Sequence, residues 1–193
     1  MIRNLPFVIV ILCVGLAIGW LSARYTLQRT QGVGSINVGI WSAWLFVGGE
    51  RVDPYTDARS TIEGTIPLGA GEGLAFETSR DQAGAPLRRE CQYKLVGVTP
   101  ASRFWTLVAY DLTGHLLFSE QKQESAIFSG DIVRNPDNSF QISVGKFPSA
   151  GNWISTTGSG NYKFVLRLYD TTMASGAGLL APELPSIEKV KCA

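Results

Sequence analysis

The sequence predicts an all-β domain, a sandwich or barrel of largely antiparallel strands, carried behind an apolar N-terminal helix. Three observations predict it. From Thr65 onward, short runs of β-branched and aromatic residues alternate with turn signals. The turns, among them Thr113-Gly114 and Pro136-Asp137-Asn138, are of the kind that close hairpins. The segment from Leu5 to Ala23 carries no charged side chain, and at about 1.5 Å per residue it makes a helix of roughly 28 Å, enough to cross a bilayer. The chain has 193 residues, 17% of them charged, and a formal net charge of +1. That length allows one domain of ordinary size plus a short extra segment, and that charge lacks the basic field nucleic-acid binding requires.

Residues 1–4 read as a tail and 5–25 as a transmembrane helix. Pro6 is tolerated in a first helical turn, and Trp20 and Tyr25 stand where interfacial aromatics belong. A cleaved signal peptide is the rival reading. Its apolar core usually spans only ~7 to 15 residues and ends at a small-x-small site, which Leu21-Ser22-Ala23 fits poorly. Arg3 flanks one end while Arg24 and Arg29 flank the other, so orientation rests on the cysteines. Cys13 lies in the apolar run. Cys91 and Cys192 are a candidate disulfide of a domain exported to the periplasm or cell exterior, the alternative being free thiols in a reducing cytosol. No CxxC occurs, and the spacing is not that of a zinc site.

Residues 26–35 form a Gly-containing tether, and the globular part occupies 36–193. IWSAWLFVGG (40–49) is the first element after the tether. Asp53-Pro54 then offers an N-cap followed by proline at the first helical position, and YTDARSTIEG makes the one clear soluble helix, ending at Gly64. The expected strands are GLAFETS, CQYKLVGV, RFWTLVAYD, LLFS, AIFS, FQISV and YKFVLRLYD. FWTLVAYD (104–111) is apolar at alternate positions on both faces, the mark of a strand covered on both sides. YKFVLRLYD repeats the design with one amphipathic face.

DPYTDAR at 53–59, LGAGEGLAF at 68–76, CQYKLVG at 91–97, RFWTLVAYD at 103–111, NPDNSFQISV at 135–144, GNWIS at 151–155 and FVLRLYD at 164–170 together resemble the bacterial DUF1214 family, often encoded with or fused to DUF1254. The resemblance covers nearly everything after the apolar segment. It implies an antiparallel jelly-roll-like β-sandwich, no established activity, and a DUF1254-family protein as a possible partner. With the apolar helix and the cysteines, it points to a single-pass protein of the bacterial inner membrane with its domain in the periplasm. Two departures stand out: Asp137-Asn138-Ser139 where many relatives have Asp-Gly-Ser, and Asn152-Trp153-Ile154-Ser155 where they have Asn-Trp-Leu-Pro. Asn still takes the φ > 0 position of a turn, whereas loss of the proline leaves the loop after Trp153 less rigid.

Chemistry is sparse. The lone histidine, His115, stands on a turn and reads as a solvated surface residue, with no GxSxG elbow beside it. One histidine without a thiolate cluster points to no metal, and no motif calls for a cofactor. Gly69-Ala70-Gly71-Glu72-Gly73 is followed by a strand, so it reads as a turn rather than a phosphate cradle. Glu72 and Glu77 are candidates to pair with Asp111 or Arg103. The candidate binding residues are Tyr110, Asp111, Asn152, Trp153, Arg167 and Tyr169, a set suited to a sugar ring or a carboxylate-bearing ligand. The competing reading is structural: Trp153 plugs the core, Asn152 closes its turn and Arg167 pairs with an acid. The expected function is a membrane-anchored module that binds an envelope component, such as a glycan, or a partner protein. The alternatives are an enzyme on a saccharide-like or small acid substrate, with Asp111 or a glutamate as base, and a purely structural envelope protein.

Overall fold

The computed structural model describes residues 4–29, 35–44, 54–63, 68–69, 71–117, 125–175 and 182–192. The chain divides into two units, residues 1–33 and 34–193. In the first, α1 runs Leu5–Arg29. It continues past Tyr25 because nothing from Thr26 to Arg29 breaks a helix, and Thr26 Oγ1 donates to the Ser22 carbonyl one turn back. The segment Leu5–Thr26, with a mean hydropathy of 2.5, is long and apolar enough to cross a membrane, a property shared by anchors and signal sequences.

The second unit is built from β1 (Ser35–Val38), β2 (Trp41–Trp44), α2 (Pro54–Glu63), β3 (Gly73–Thr78), β4 (Cys91–Gly97), β5 (Phe104–Asp111), β6 (Ala126–Phe128), β7 (Phe140–Gly145), β8 (Asn152–Ser155), β9 (Tyr162–Tyr169) and β10 (Ser186–Cys192). One sheet has six strands in the order β1-β2-β3-β9-β5-β6, the other four in the order β10-β4-β7-β8. The fold is a β-sandwich. Expected strands at GLAFETS, CQYKLVGV, RFWTLVAYD, AIFS, FQISV and YKFVLRLYD appear as β3, β4, β5, β6, β7 and β9. The soluble helix is α2, opened by Pro54 as its first residue. The N-cap Asp53, the stop at Gly64, the Phe118-Ser119 half of LLFS and part of the tether lie outside the described residues.

Strand alternation sorts the six-stranded sheet into two faces. Toward the other sheet point Trp41, Ala43, Leu74, Phe76, Trp105, Leu107, Ala109, Phe164, Leu166 and Leu168. They share one core with Tyr93, Leu95, Phe140, Ile142, Val144, Ile154 and Ile187 of the four-stranded sheet. The Trp105 and Phe140 rings stack at 5.4 Å across the interior, and Tyr93 meets Tyr162 edge-on at 6.2 Å. FWTLVAYD is covered on both sides as its composition requires: Trp105, Thr106, Leu107, Val108 and Ala109 are all buried.

Two features depart from the expected hairpins. β7 and β8 run parallel, joined by the short 146–151 segment, which returns the chain with Gly151 at φ 80°. β10 has Ile187 as its single buried residue, its charged side chains facing water, and lies at the edge of its sheet beside β4. A bulge absorbs Val190, so that Cys192 comes to lie opposite Cys91, and the two form a disulfide.

Candidate functional site

The sequence-selected residues fall into three separate groups. The register between β5 and β9 pairs Phe104 with Tyr169, Thr106 with Arg167, Val108 with Val165 and Tyr110 with Lys163, all on the face turned away from the core. Tyr110 and Arg167 are therefore two pair-rows apart on the same face, and their long side chains meet over the Val108–Val165 row. Arg167 Nη1 donates to the Tyr110 hydroxyl at 3.1 Å, and the guanidinium lies 5.5 Å from the Tyr110 ring centre. The expected acid partner is absent: among the described residues Arg167 has no carboxylate, and Tyr110 takes that place.

Beside Arg167, on the same face, Tyr169 joins an aromatic ridge. Phe104 stands 5.9 Å from Tyr169 and 6.3 Å from Phe128, ring centre to ring centre. Phe104 is 40% exposed and Phe128 38%. Neither phenylalanine was singled out in the sequence, because an aromatic at a strand position reads first as core. The signal for Phe104 lies in parity: it alternates with the core residues Trp105 and Leu107 of the same strand. Two other cations nearby have acid partners. Lys163 Nζ binds Glu77 at 2.9 Å, and Arg103 reaches Asp170 at 3.8 Å. Glu77 thus pairs with neither Asp111 nor Arg103, and Glu72 Oε2 accepts from the Gly69 amide in its own turn.

Asp111 belongs to the second group. Its Oδ1 accepts from the amides of Thr113 and His115, both at 2.9 Å, and from the Thr113 hydroxyl at 2.7 Å. Gly114, at φ 92°, completes the turn. Partial burial opposes ionisation of this carboxyl, but the hydrogen bonds from Thr113 and His115 and the imidazole charge outweigh it and hold the pKa at about 2. A carboxylate so weakly basic, with one oxygen already committed to three donors, is a turn clamp rather than a general base. His115, with its side chain 80% exposed, lies 3.5 Å from Oδ2. Because the folded pKa lies below the ordinary value, the clamp contributes stability that is present above about pH 4 and lost as pH falls through about 2. Asp111→Asn is expected to lower stability by about 1 kcal/mol at pH 7. It should also flatten stability against pH between about 4 and 2, read by urea unfolding across that range. An unchanged acid limb would refute the clamp.

Asn152 and Trp153 form the third group, on the four-stranded sheet. Asn152 accepts from the Val133 amide at 2.7 Å and donates to the carbonyls of Val133 and Gln141 at 2.8 and 2.9 Å, stitching one loop to β7 and β8. Trp153 Nε1 donates to the Gly145 carbonyl at 3.2 Å. Both side chains spend their polar atoms on backbone groups, Asn152 reaching residues 19 and 11 positions away rather than its own turn. Asn138 adopts φ 67°, the turn conformation expected for it in Asp137-Asn138-Ser139. A cleft of about 410 Å³ opens elsewhere, between the β1–β2 turn, the end of β4 and the approach to β10, and shares no residue with these groups.

A family model for DUF1214, described as a protein of unknown function, matches residues 72–173. The crystal structure of a Vibrio parahaemolyticus protein is similar in fold, with a TM-score of 0.62 at 15% identity over 92% of this chain and 44% of that one. The crystal structure of an uncharacterised Burkholderia cenocepacia protein aligns with a TM-score of 0.42 at 17% identity over 90% of this chain and 50% of that one. The chain thus spans half or less of the length of these solved proteins. No curated protein matches it.

Proposed function

The chain belongs to the DUF1214 family of proteins of unknown function, and from that premise we propose that it is a single-pass membrane-anchored protein of the bacterial envelope whose sandwich binds an envelope component or a partner protein. The observation that carries the binding role is Arg167, a cation with no carboxylate among the described residues, set against Tyr110 beside an exposed aromatic ridge. The single bond to Tyr110 uses one of the five guanidinium N–H donors and leaves the positive charge available to an anionic ligand. The apolar α1 supports the anchor, and the Cys91–Cys192 disulfide supports an oxidising compartment, hence the periplasmic side of the inner membrane. The partner is an envelope glycan or a protein such as a DUF1254-family member. Catalysis through Asp111 is disfavoured by its engaged and weakly basic carboxylate.

Spheroplasts test the anchor and its orientation. The chain is expected to sediment with membranes with α1 attached, and external protease is expected to digest the sandwich. A chain recovered without residues 1–29, or a protected domain with Cys91 and Cys192 freely labelled, would overturn the reading.

A further inference from the structure

Resting on that reading of the outer face, the geometry points to a subsite for an acidic sugar, with the carboxylate on Arg167 and the pyranose ring on the aromatic ridge. Arg167 uses one N–H of its five on Tyr110, which leaves an edge of the guanidinium able to take a carboxylate through two parallel hydrogen bonds. The charge count selects the anion. Lys163 faces Glu77 and Arg103 faces Asp170, so Arg167 is the cation on this face of β9 whose partner among the described residues is a neutral hydroxyl. One carboxylate balances that cation, whereas a phosphate monoester, carrying about −1.5 to −2 at neutral pH, is left undercompensated.

The ring partner follows from register. Arg167 and Tyr169 alternate on one face of β9, about 7 Å apart along the strand, the reach of one hexuronic acid from its carboxylate across its ring. Phe104, stacked on Phe128 and tilted by 40° against Tyr169, forms an apolar ridge of partly exposed rings against which the C–H face of a pyranose packs. Tyr110 holds the guanidinium over the Val108–Val165 row through its hydroxyl and its ring, which fixes the direction in which the remaining N–H groups point.

The test is calorimetric titration of the detergent-solubilised full chain with trigalacturonate, using maltotriose and inorganic phosphate as comparison ligands. Trigalacturonate is expected to bind, maltotriose to bind at least about tenfold more weakly for want of a carboxylate, and Arg167→Gln to weaken trigalacturonate by about tenfold or more. Phe128→Ala, an exposed edge position, is expected to weaken it several-fold and keeps the test decisive where Arg167→Gln fails to fold. Absence of trigalacturonate binding overturns the inference, as does binding indifferent to both substitutions. Phosphate binding as tightly as trigalacturonate overturns it as well, reducing the site to a simple anion contact. A chain that passes the spheroplast test but ignores trigalacturonate sinks the sugar and leaves the anchored module standing.

Discussion

Loss of the Cys91–Cys192 disulfide is expected to lower the stability of the sandwich by about 4 kcal/mol, within the ~2 to 5 kcal/mol range for native bridges. The bridge joins residues 101 apart in sequence, and closing a loop of that length removes much of the unfolded chain's freedom. Its position adds to the effect. β10 is an edge strand with Ile187 as its one buried residue, so beyond the β4 ladder the disulfide is what secures its end. Cys192→Ser isolates this contribution, because Cys192 is exposed while Cys91 is buried and would add a packing cost of its own. Urea unfolding of the full chain should give the variant a lower midpoint that reductant leaves unchanged. Wild type in reductant should fall to the same value. Trypsin should then cut at Lys189 and Lys191 in the reduced protein before it cuts elsewhere in the sandwich. Coincident midpoints with and without the bridge would show that the β4–β10 ladder is sufficient by itself.

The contrast between β9 and β10 explains what was legible in the sequence. FWTLVAYD carries its fold in composition, since a strand buried at its centre is apolar on both faces, and YKFVLRLYD shows one continuous apolar face beside an amphipathic one. SIEKVKC is not among the expected strands because an edge strand exposes nearly every side chain and so lacks an apolar pattern, and charge there guards against edge pairing. The Val190 bulge is invisible to alternation, although the facing cysteines depend on it. GNWIS is too short to carry a strand pattern, and Asn152 and Trp153 stand out in it as ligand-binding types; their partners in the fold are backbone groups of β7 and the 133 segment, fixed by a parallel pairing that short-range patterns do not encode. The candidate site was half legible for a similar reason. Tyr110 and Arg167 stood out singly as polar groups on apolar strands, but their meeting depends on the β5–β9 register, and Phe128 enters through a three-residue strand too short to carry a pattern. Asp111 was visible as an acid at a strand end, yet its role is decided by Thr113 and His115, which turn toward it only once Gly114 adopts φ > 0.

Gly73→Ala is expected to be among the most damaging single-methyl additions in the sandwich. Gly73 pairs with Tyr169 at the end of β3, and a Cβ there would lie 2.1 Å from the Leu168 carbonyl oxygen and 3.2 Å from the Tyr169 Cα. The obstacle is backbone, not the far end of a flexible side chain, so relief requires β3 and β9 to part. Parting them disturbs two things at once. Leu74 and Leu168 are buried on the core side of this junction, while Tyr169, on the outer side, holds its place in the ridge against Phe104. Over-packing a core costs about 1–3 kcal/mol when side chains can yield. Here the ladder itself must yield, and a loss of about 3 kcal/mol or more follows. Gly71, whose added Cβ would meet nothing within 4 Å, is the internal control from the same loop: Gly71→Ala should leave the unfolding midpoint nearly unchanged. Equal effects of the two substitutions would place the close approach of β3 to β9 in error. A selective loss at Gly73 would instead identify the glycine that lets the outer face of β9, and with it Arg167 and Tyr169, sit flush against its neighbour.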